Sequence, residues 1–135
     1  MVHYAEVFVE HLDFEEVKYT AVDDMTVNLI YSADNMETIS VFVIFDKDGD
    51  PVVSLKCWSI LNFKEKREAA YEACNELNAK YRWIRFYIDG DGDVVADVDA
   101  YVDEESCGEI CYSLVNRMVG VVDEAYPVLA RARWN

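Results

Sequence analysis

The chain has 135 residues, of which 53% are hydrophobic and 29% charged, and its formal net charge is −15 at pH 7. This length is typical of one domain, and the apolar residues are numerous enough to form a core without disulfides or a structural metal. The acidic excess disfavours nucleic acids and anionic membranes as partners, because both bind proteins through Lys and Arg. We expect one acidic domain covering residues 1–135.

The basic residues are concentrated in the middle of the chain, between two strongly acidic segments. They are Lys56, Lys64, Lys66, Arg67, Lys80, Arg82 and Arg85. Such an asymmetry can orient an encounter with a charged partner or only maintain solubility, and we favour solubility.

The sequence contains no signal for membrane insertion or export. No apolar run reaches the roughly 18 residues that span a bilayer, and Met1–Glu6 lacks the basic and apolar regions of a signal peptide. The cysteines form no CxxC pair, and we expect them to be buried thiols in a reducing compartment. They are Cys57, Cys74, Cys107 and Cys111. We therefore expect a cytoplasmic protein.

Hydrophobic periodicity predicts a helix followed by strands in the first part of the chain. Apolar residues at helical spacing predict a helix around Tyr4–Leu12. The period then changes to two, which predicts a strand around Val27–Tyr31 and a central strand at Ile39–Phe45. A further short strand is expected at Val17–Ala21.

Two antiparallel hairpins are predicted. Asp48-Gly49 separates the central strand from Val52–Trp58, and an Asp-Gly pair between two strand patterns is a strong hairpin signal. The acidic turn Asp89–Asp93 connects Trp83–Ile88 with Val94–Val102 in the same way. In this last strand, alternation places Asp97 and Asp99 on a solvent-facing side, where charged residues discourage edge pairing.

Two further helices are expected. Asn62 followed by Glu65 resembles a capping box and predicts that a helix starts there, with Ala70, Cys74, Leu77 and Tyr81 on its inner face. The last helix starts after Asp103, and Gly120 and Pro127 predict a bend or break within it. Its expected inner face consists of Cys107, Ile110, Cys111, Leu114, Met118, Val121, Val122, Ala125 and Leu129.

The C-terminal half resembles the bacterial YbjN family. The resemblance is carried by Leu77-Asn78, the strand Arg85–Asp89, the turn Asp91–Val94, the strand Asp97–Tyr101 and the helix end Val122–Pro127. It implies an α+β fold like that of type III secretion chaperones, with element order α-β-β-β(-β)-α-β-β-α and an antiparallel sheet packed with helices. It also implies a regulatory role in bacterial sensory transduction.

Several patterns suggest chemistry, but each has a simpler interpretation. The acidic loops Asp46–Asp50 and Asp89–Asp93 imitate the start of a calcium-binding loop, yet neither has Gly at position 6 or Glu at position 12. Cys107 and Cys111 could ligate a metal with His11, although core packing is the favoured role. No Ser/His/Asp set, phosphate-binding loop or dinucleotide motif occurs. We expect no catalytic residues and no cofactor.

A second apolar row on the last helix is the strongest candidate for a binding surface. The row consists of Tyr112, Val115, Val119, Val122 and Tyr126. A helix that is apolar around so much of its circumference is either enclosed by its own chain or covered by another. We favour a protein interface, with a symmetric homodimer as the default.

The function favoured by the sequence is a non-enzymatic, protein-binding or chaperone-like regulatory domain. The alternative is a regulator that binds a small ligand or a metal through the acidic hairpin loops. Binding of calcium to the native state would raise the melting temperature and separate the two.

Overall fold

The computed structural model describes all of residues 1–135 and has the α+β architecture that the sequence predicts. The first helix and four strands are α1 (His3–Phe14), β1 (Thr20–Ala21), β2 (Thr26–Ser32), β3 (Thr38–Phe45) and β4 (Val52–Cys57). The remaining elements are α2 (Arg67–Lys80), β5 (Arg85–Ile88), β6 (Val94–Tyr101) and α3 (Cys107–Trp134). The predicted order is confirmed, with the two-residue β1 as the extra strand.

The six strands form one antiparallel sheet in the order β1-β2-β3-β4-β6-β5. The inner face packs against α1 and α3 and supplies alternate residues to the core, while α2 lies beside β5. The inner-face residues of the three central strands include Ile39, Val41, Val43, Val53, Leu55, Ala96 and Val98. The opposite face, here called the outer face, carries no helix.

The start of α2 differs from the prediction. The helix begins at Arg67, without a side-chain cap, and Asn62 is not its N-cap. The Asn62 side chain instead accepts the Lys64 N–H and donates to the Asp91 carbonyl and the Asp93 carboxylate, at 2.8, 3.0 and 3.0 Å. Asn62 therefore attaches the loop before α2 to the turn of the second hairpin.

Gly120 and Pro127 predicted a bend or break in α3, and the structure contains no break, because the helix is continuous for 28 residues. Pro127 has no N–H to give to the carbonyl of Asp123, four residues earlier. That carbonyl accepts a hydrogen bond from the Asn35 side chain at 3.0 Å instead. The turn between β2 and β3 thus satisfies the group that Pro127 leaves free.

The buried face of α3 is rotated relative to the predicted one. Most predicted inner residues are fully buried, but Ile110 and Leu114 are only half-buried. At Gly108 a Cβ atom would lie 2.6 Å from the Cβ of His11, so only glycine permits α1 to approach this closely. Gly108 therefore lies on the buried side of α3, where α1 crosses closely.

All four cysteines are buried and none forms a disulfide, so their predicted burial is confirmed. No helix combines the length and the apolar character required to cross a lipid bilayer.

Candidate protein-binding surface

Asp97 lies on the outer face, but it is buried. Its neighbours in register are Lys56 on β4 and Arg85 on β5, so the three side chains form one row across three strands. The Lys56 ammonium lies 3.0 Å from the Asp97 carboxylate, and Arg85 donates to both carboxylate oxygens. Asp97 is 1% exposed. The prediction of a solvent-facing Asp97 is therefore wrong.

The charges in this row stabilise one another. Burial by itself would raise the pKa of Asp97, but hydrogen bonds from Arg85 and Lys56 outweigh it and hold the pKa below its ordinary value. Burial likewise opposes the charge of Lys56, and the Asp97 carboxylate raises its pKa above the usual range. The hydrogen bond to Asp97 also raises the pKa of Arg85. The row is a charged network that links β4, β6 and β5 through side-chain ion pairs.

Asp99, two residues further along, is exposed as predicted. Its carboxylate accepts the Ser54 hydroxyl at 2.6 Å and lies 3.8 Å from the Arg85 guanidinium. No strand lies on its other side, because β5 starts at Arg85 and pairs only with Val94–Asp97. The stretch Val98–Tyr101, which we call the β6 edge, has β4 on one side and no partner strand on the other.

The hydrogen-bonding groups of the β6 edge can be assigned from the register. Asp93 bonds towards the β5 side, whereas Val94 and Val102 bond towards the β4 side. Because bonding alternates along an antiparallel strand, the N–H and C=O groups of Asp99 and Tyr101 point to the open side. No turn or loop hydrogen bond involves the backbone of either residue, and the ladder with β5 ends at Asp97.

An apolar groove lies beside the β6 edge, between β6 and the first half of α3. We call it the β6–α3 groove; its volume is about 670 Å³. It is lined by Trp83, Val98, Asp99, Ala100, Tyr101, Glu109, Ile110, Ser113, Leu114 and Arg117. Trp83 is 66% exposed and Tyr101 is 82% exposed. The groove therefore presents two large aromatic side chains to solvent next to free backbone groups.

The predicted row on α3 contains both core residues and partly exposed residues. Val115 and Val122 have no exposed surface, so they belong to the core and cannot contact a partner in this fold. Tyr112, Val119 and Tyr126 are half-buried against the same core.

Neighbouring elements of the same chain cover much of this row. The Tyr112 ring lies 5.9 Å from the ring of His11 on α1. Burial and the nearby Tyr112 raise the pKa of Tyr31 on β2. The carboxylate of Asp123 accepts the N–H groups of residues 34–36, which holds the β2–β3 turn beside the row. These contacts cover part of the second apolar face of α3.

Residues 5–129 match the YbjN family, which is described as "Putative bacterial sensory transduction regulator". The chain belongs to this family. Among solved structures it resembles the Yersinia pestis type III secretion chaperone SycH, crystallised in complex with a stable fragment of YscM2. The TM-score is 0.53 at 10% identity, covering 89% of this chain and 98% of that one, which establishes a common fold. A search of curated proteins found no match.

In the acidic loops of this YbjN-family chain, the first aspartate of each loop accepts hydrogen bonds from backbone N–H groups of the same turn. Asp46 accepts the N–H groups of Asp48 and Asp50 at 2.9 and 3.2 Å. Asp89 accepts those of Asp91 and Asp93 at 2.9 and 3.0 Å. No group of three or more His, Cys, Asp or Glu side chains is arranged to hold a metal ion. The geometry favours the turn interpretation over a cation site.

The thiols also have core roles. Burial raises the pKa of both Cys57 and Cys74 to about 11, which disfavours the reactive thiolate. A hydrogen bond with Cys107, together with burial, raises the pKa of Cys111. His11 does come close to this part of α3, but it packs over Gly108 and against Tyr112.

The groove residues were not identified from the sequence as a site. Ile110 and Leu114 were assigned to the core, and Tyr101 was interpreted only as part of a solvent-facing strand side. Single apolar residues on a surface are common and carry no signal by themselves, so neither Tyr101 nor Trp83 could be singled out from the sequence.

Proposed function

We propose that this YbjN-family chain is a non-enzymatic, protein-binding regulatory domain of a chaperone-like kind. The observation that supports this most directly is the β6–α3 groove, where Trp83 and Tyr101 are largely exposed beside half-buried Ile110 and Leu114. Exposed aromatic side chains around an apolar depression are typical of surfaces that bind other proteins.

Two further observations support the proposal. A chain with the same fold, SycH, was crystallised with a fragment of another protein. The chemical groups of the present chain have structural roles: the aspartates of the acidic turns hold backbone N–H groups, and Asp97 is neutralised by two cations. Four unpaired cysteines further support a reducing, cytoplasmic location.

Capture from a cell lysate tests this function. The tagged wild-type chain is compared with a Trp83→Ser/Tyr101→Ser double variant, and Tyr71→Ser serves as the control because Tyr71 is an exposed aromatic on α2. We expect a protein that wild type and the control retain and the double variant loses. Identical sets of retained proteins for all three chains would refute a binding role for the groove.

Self-association is a separate part of the proposal. We propose that the half-buried residues Tyr112, Val119 and Tyr126 contact a second copy in a symmetric homodimer. Light scattering on wild type and Val119→Asp tests this, because a charge at a dimer interface is left uncompensated. A monomeric wild-type chain, or an unchanged particle mass in the variant, would eliminate this interface.

A further inference from the structure

The chain closes one edge of its sheet and leaves another open. At β5, the Asn78 side chain accepts the Phe86 N–H at 2.7 Å and donates to the Phe86 carbonyl at 3.0 Å, so α2 occupies that edge. At the β6 edge no side chain does the same for Asp99 and Tyr101. An unpaired edge of this kind is a template for another strand.

The open side of the β6 edge is maintained by the local backbone. Continuing β5 backwards would place Trp83 opposite Asp99, but Trp83 has φ = 72°. This left-handed conformation turns the chain away from β6 and costs a residue other than glycine free energy. The chain therefore bends out of the sheet just where pairing would otherwise continue.

We propose that the partner contributes an extended segment that adds to the β6 edge as a further strand, in line with β5. This inference rests on the function proposed above and specifies the partner. Side chains of an added strand alternate between the two faces of the sheet. Those on the inner side enter the β6–α3 groove against Ile110 and Leu114, and those on the outer side lie next to Asp99.

Charge indicates what kind of segment fits. The groove is lined by Asp99 and Glu109 against a single cation, Arg117, and the whole chain has a net charge of −15. A segment that alternates apolar with basic residues satisfies both faces. A second copy fits less well, because two paired β6 edges bring two Asp99 carboxylates within about 8 Å and join two strongly acidic chains.

A second open stretch offers an internal comparison. β1 pairs only with Val27 and Asn28, so Leu29–Ser32 of β2 has β3 on one side and no partner strand on the other. None of the principal grooves is lined by residues of that stretch. Free backbone groups without an apolar groove provide hydrogen bonds but little burial, so we assign strand addition to β6 and use β2 as the control.

The probe is a fluorescein-labelled peptide of nine residues in which Ile or Val alternates with Lys or Arg. Its binding to the full chain is followed by fluorescence anisotropy. Tyr101→Pro removes the outward N–H together with the side chain, whereas Tyr101→Ser removes only the side chain. Ser32→Pro makes the matching change at the last residue of β2.

We expect Tyr101→Pro to weaken binding about tenfold beyond Tyr101→Ser, and Ser32→Pro to leave it unchanged. A peptide methylated on the alternate amides that face the edge should also bind about tenfold more weakly. Because this change is made in the peptide, it does not affect the folding of the protein. Hydrogen exchange should slow at the Asp99 and Tyr101 amides on binding, but not at Ile30 or Ser32.

Three outcomes would overturn strand addition. Equal binding of the methylated and unmethylated peptides would mean that the groove acts without backbone pairing. Equal binding of a peptide with Glu in place of its basic residues would refute the proposal that the partner segment is basic. Loss of peptide binding in Ser32→Pro would mean that the binding site is the open side of β2. In each case the lysate comparison of groove variants still decides whether the chain binds proteins at all.

Discussion

Asp97 and Asp99 lie two residues apart on the same face of the same strand, yet their environments are opposite. Asp97 is 1% exposed and is held by Lys56 and Arg85. Asp99 has an exposed side chain that accepts the Ser54 hydroxyl and lies 3.8 Å from the Arg85 guanidinium. The difference follows from the neighbouring strands, because β4 and β5 flank Asp97 whereas only β4 flanks Asp99. The end of β5 thus separates a stabilising charged network from an open sheet edge.

The largest effect should come from removing the buried member of this pair. We expect Asp97→Ala to lower the free energy of unfolding by about 2–3 kcal/mol, because hydrogen bonds to a charged group are lost and two cations lose their partner. Asp99→Ala is the matched control and should change it by no more than about 0.5 kcal/mol. Urea unfolding at pH 7 measures both. Equal losses would mean that the adjacent strand does not decide the role of each aspartate.

The loss of stability caused by Asp97→Ala should depend on pH. The pKa of Asp97 is lowered in the folded chain, so its contribution is present above the ordinary value of about 3.9 and is lost as pH falls through the folded-state pKa. We expect the stability gap between wild type and Asp97→Ala to be constant from pH 7 to about pH 5 and to shrink in more acidic solution. A gap that stays constant to pH 2 would contradict the ionised network.

A smaller effect is expected at the closed edge. Asn78→Ala removes both hydrogen bonds to Phe86 and should cost about 1 kcal/mol, while Asn75→Ala on the exposed side of α2 should cost almost nothing. Hydrogen exchange should also become faster at the Phe86 amide. An unchanged exchange rate would show that α2 closes the edge without Asn78.

The smallest effects should occur in the acidic turns. Asp89→Asn retains an acceptor for the Asp91 and Asp93 N–H groups and should change stability by about 0.5 kcal/mol or less. Addition of 1 mM calcium, about the affinity of weak extracellular sites, should leave the melting temperature unchanged. A clear rise in melting temperature that Asp89→Asn abolishes would restore the cation-binding alternative.

The elements themselves could be predicted from the sequence because each depends on short-range patterns. Alternation defined the strands, the Asp-Gly turn defined the first hairpin, and helical spacing defined α1 and the course of α3. The chaperone-like fold was implied by the resemblance of the C-terminal half to the YbjN family.

Local signals failed where a distant residue supplies the missing group. Asn62 looks like a helix cap, but its side chain finds the second hairpin turn instead. Pro127 looks like a helix breaker, but Asn35 satisfies the carbonyl that it leaves free. Both partners lie far away in the sequence, so neither error could be avoided from local pattern alone.

Hydrophobic period and turn chemistry act over a few neighbouring residues, so the helices and strands can be recognised in the sequence. Long-range packing settles which aspartate is buried, which side of α3 faces the core, and where the sheet remains open. Those features depend on strand register and on where β5 ends. Register is a relation between residues that folding brings together, such as Lys56, Arg85 and Asp97.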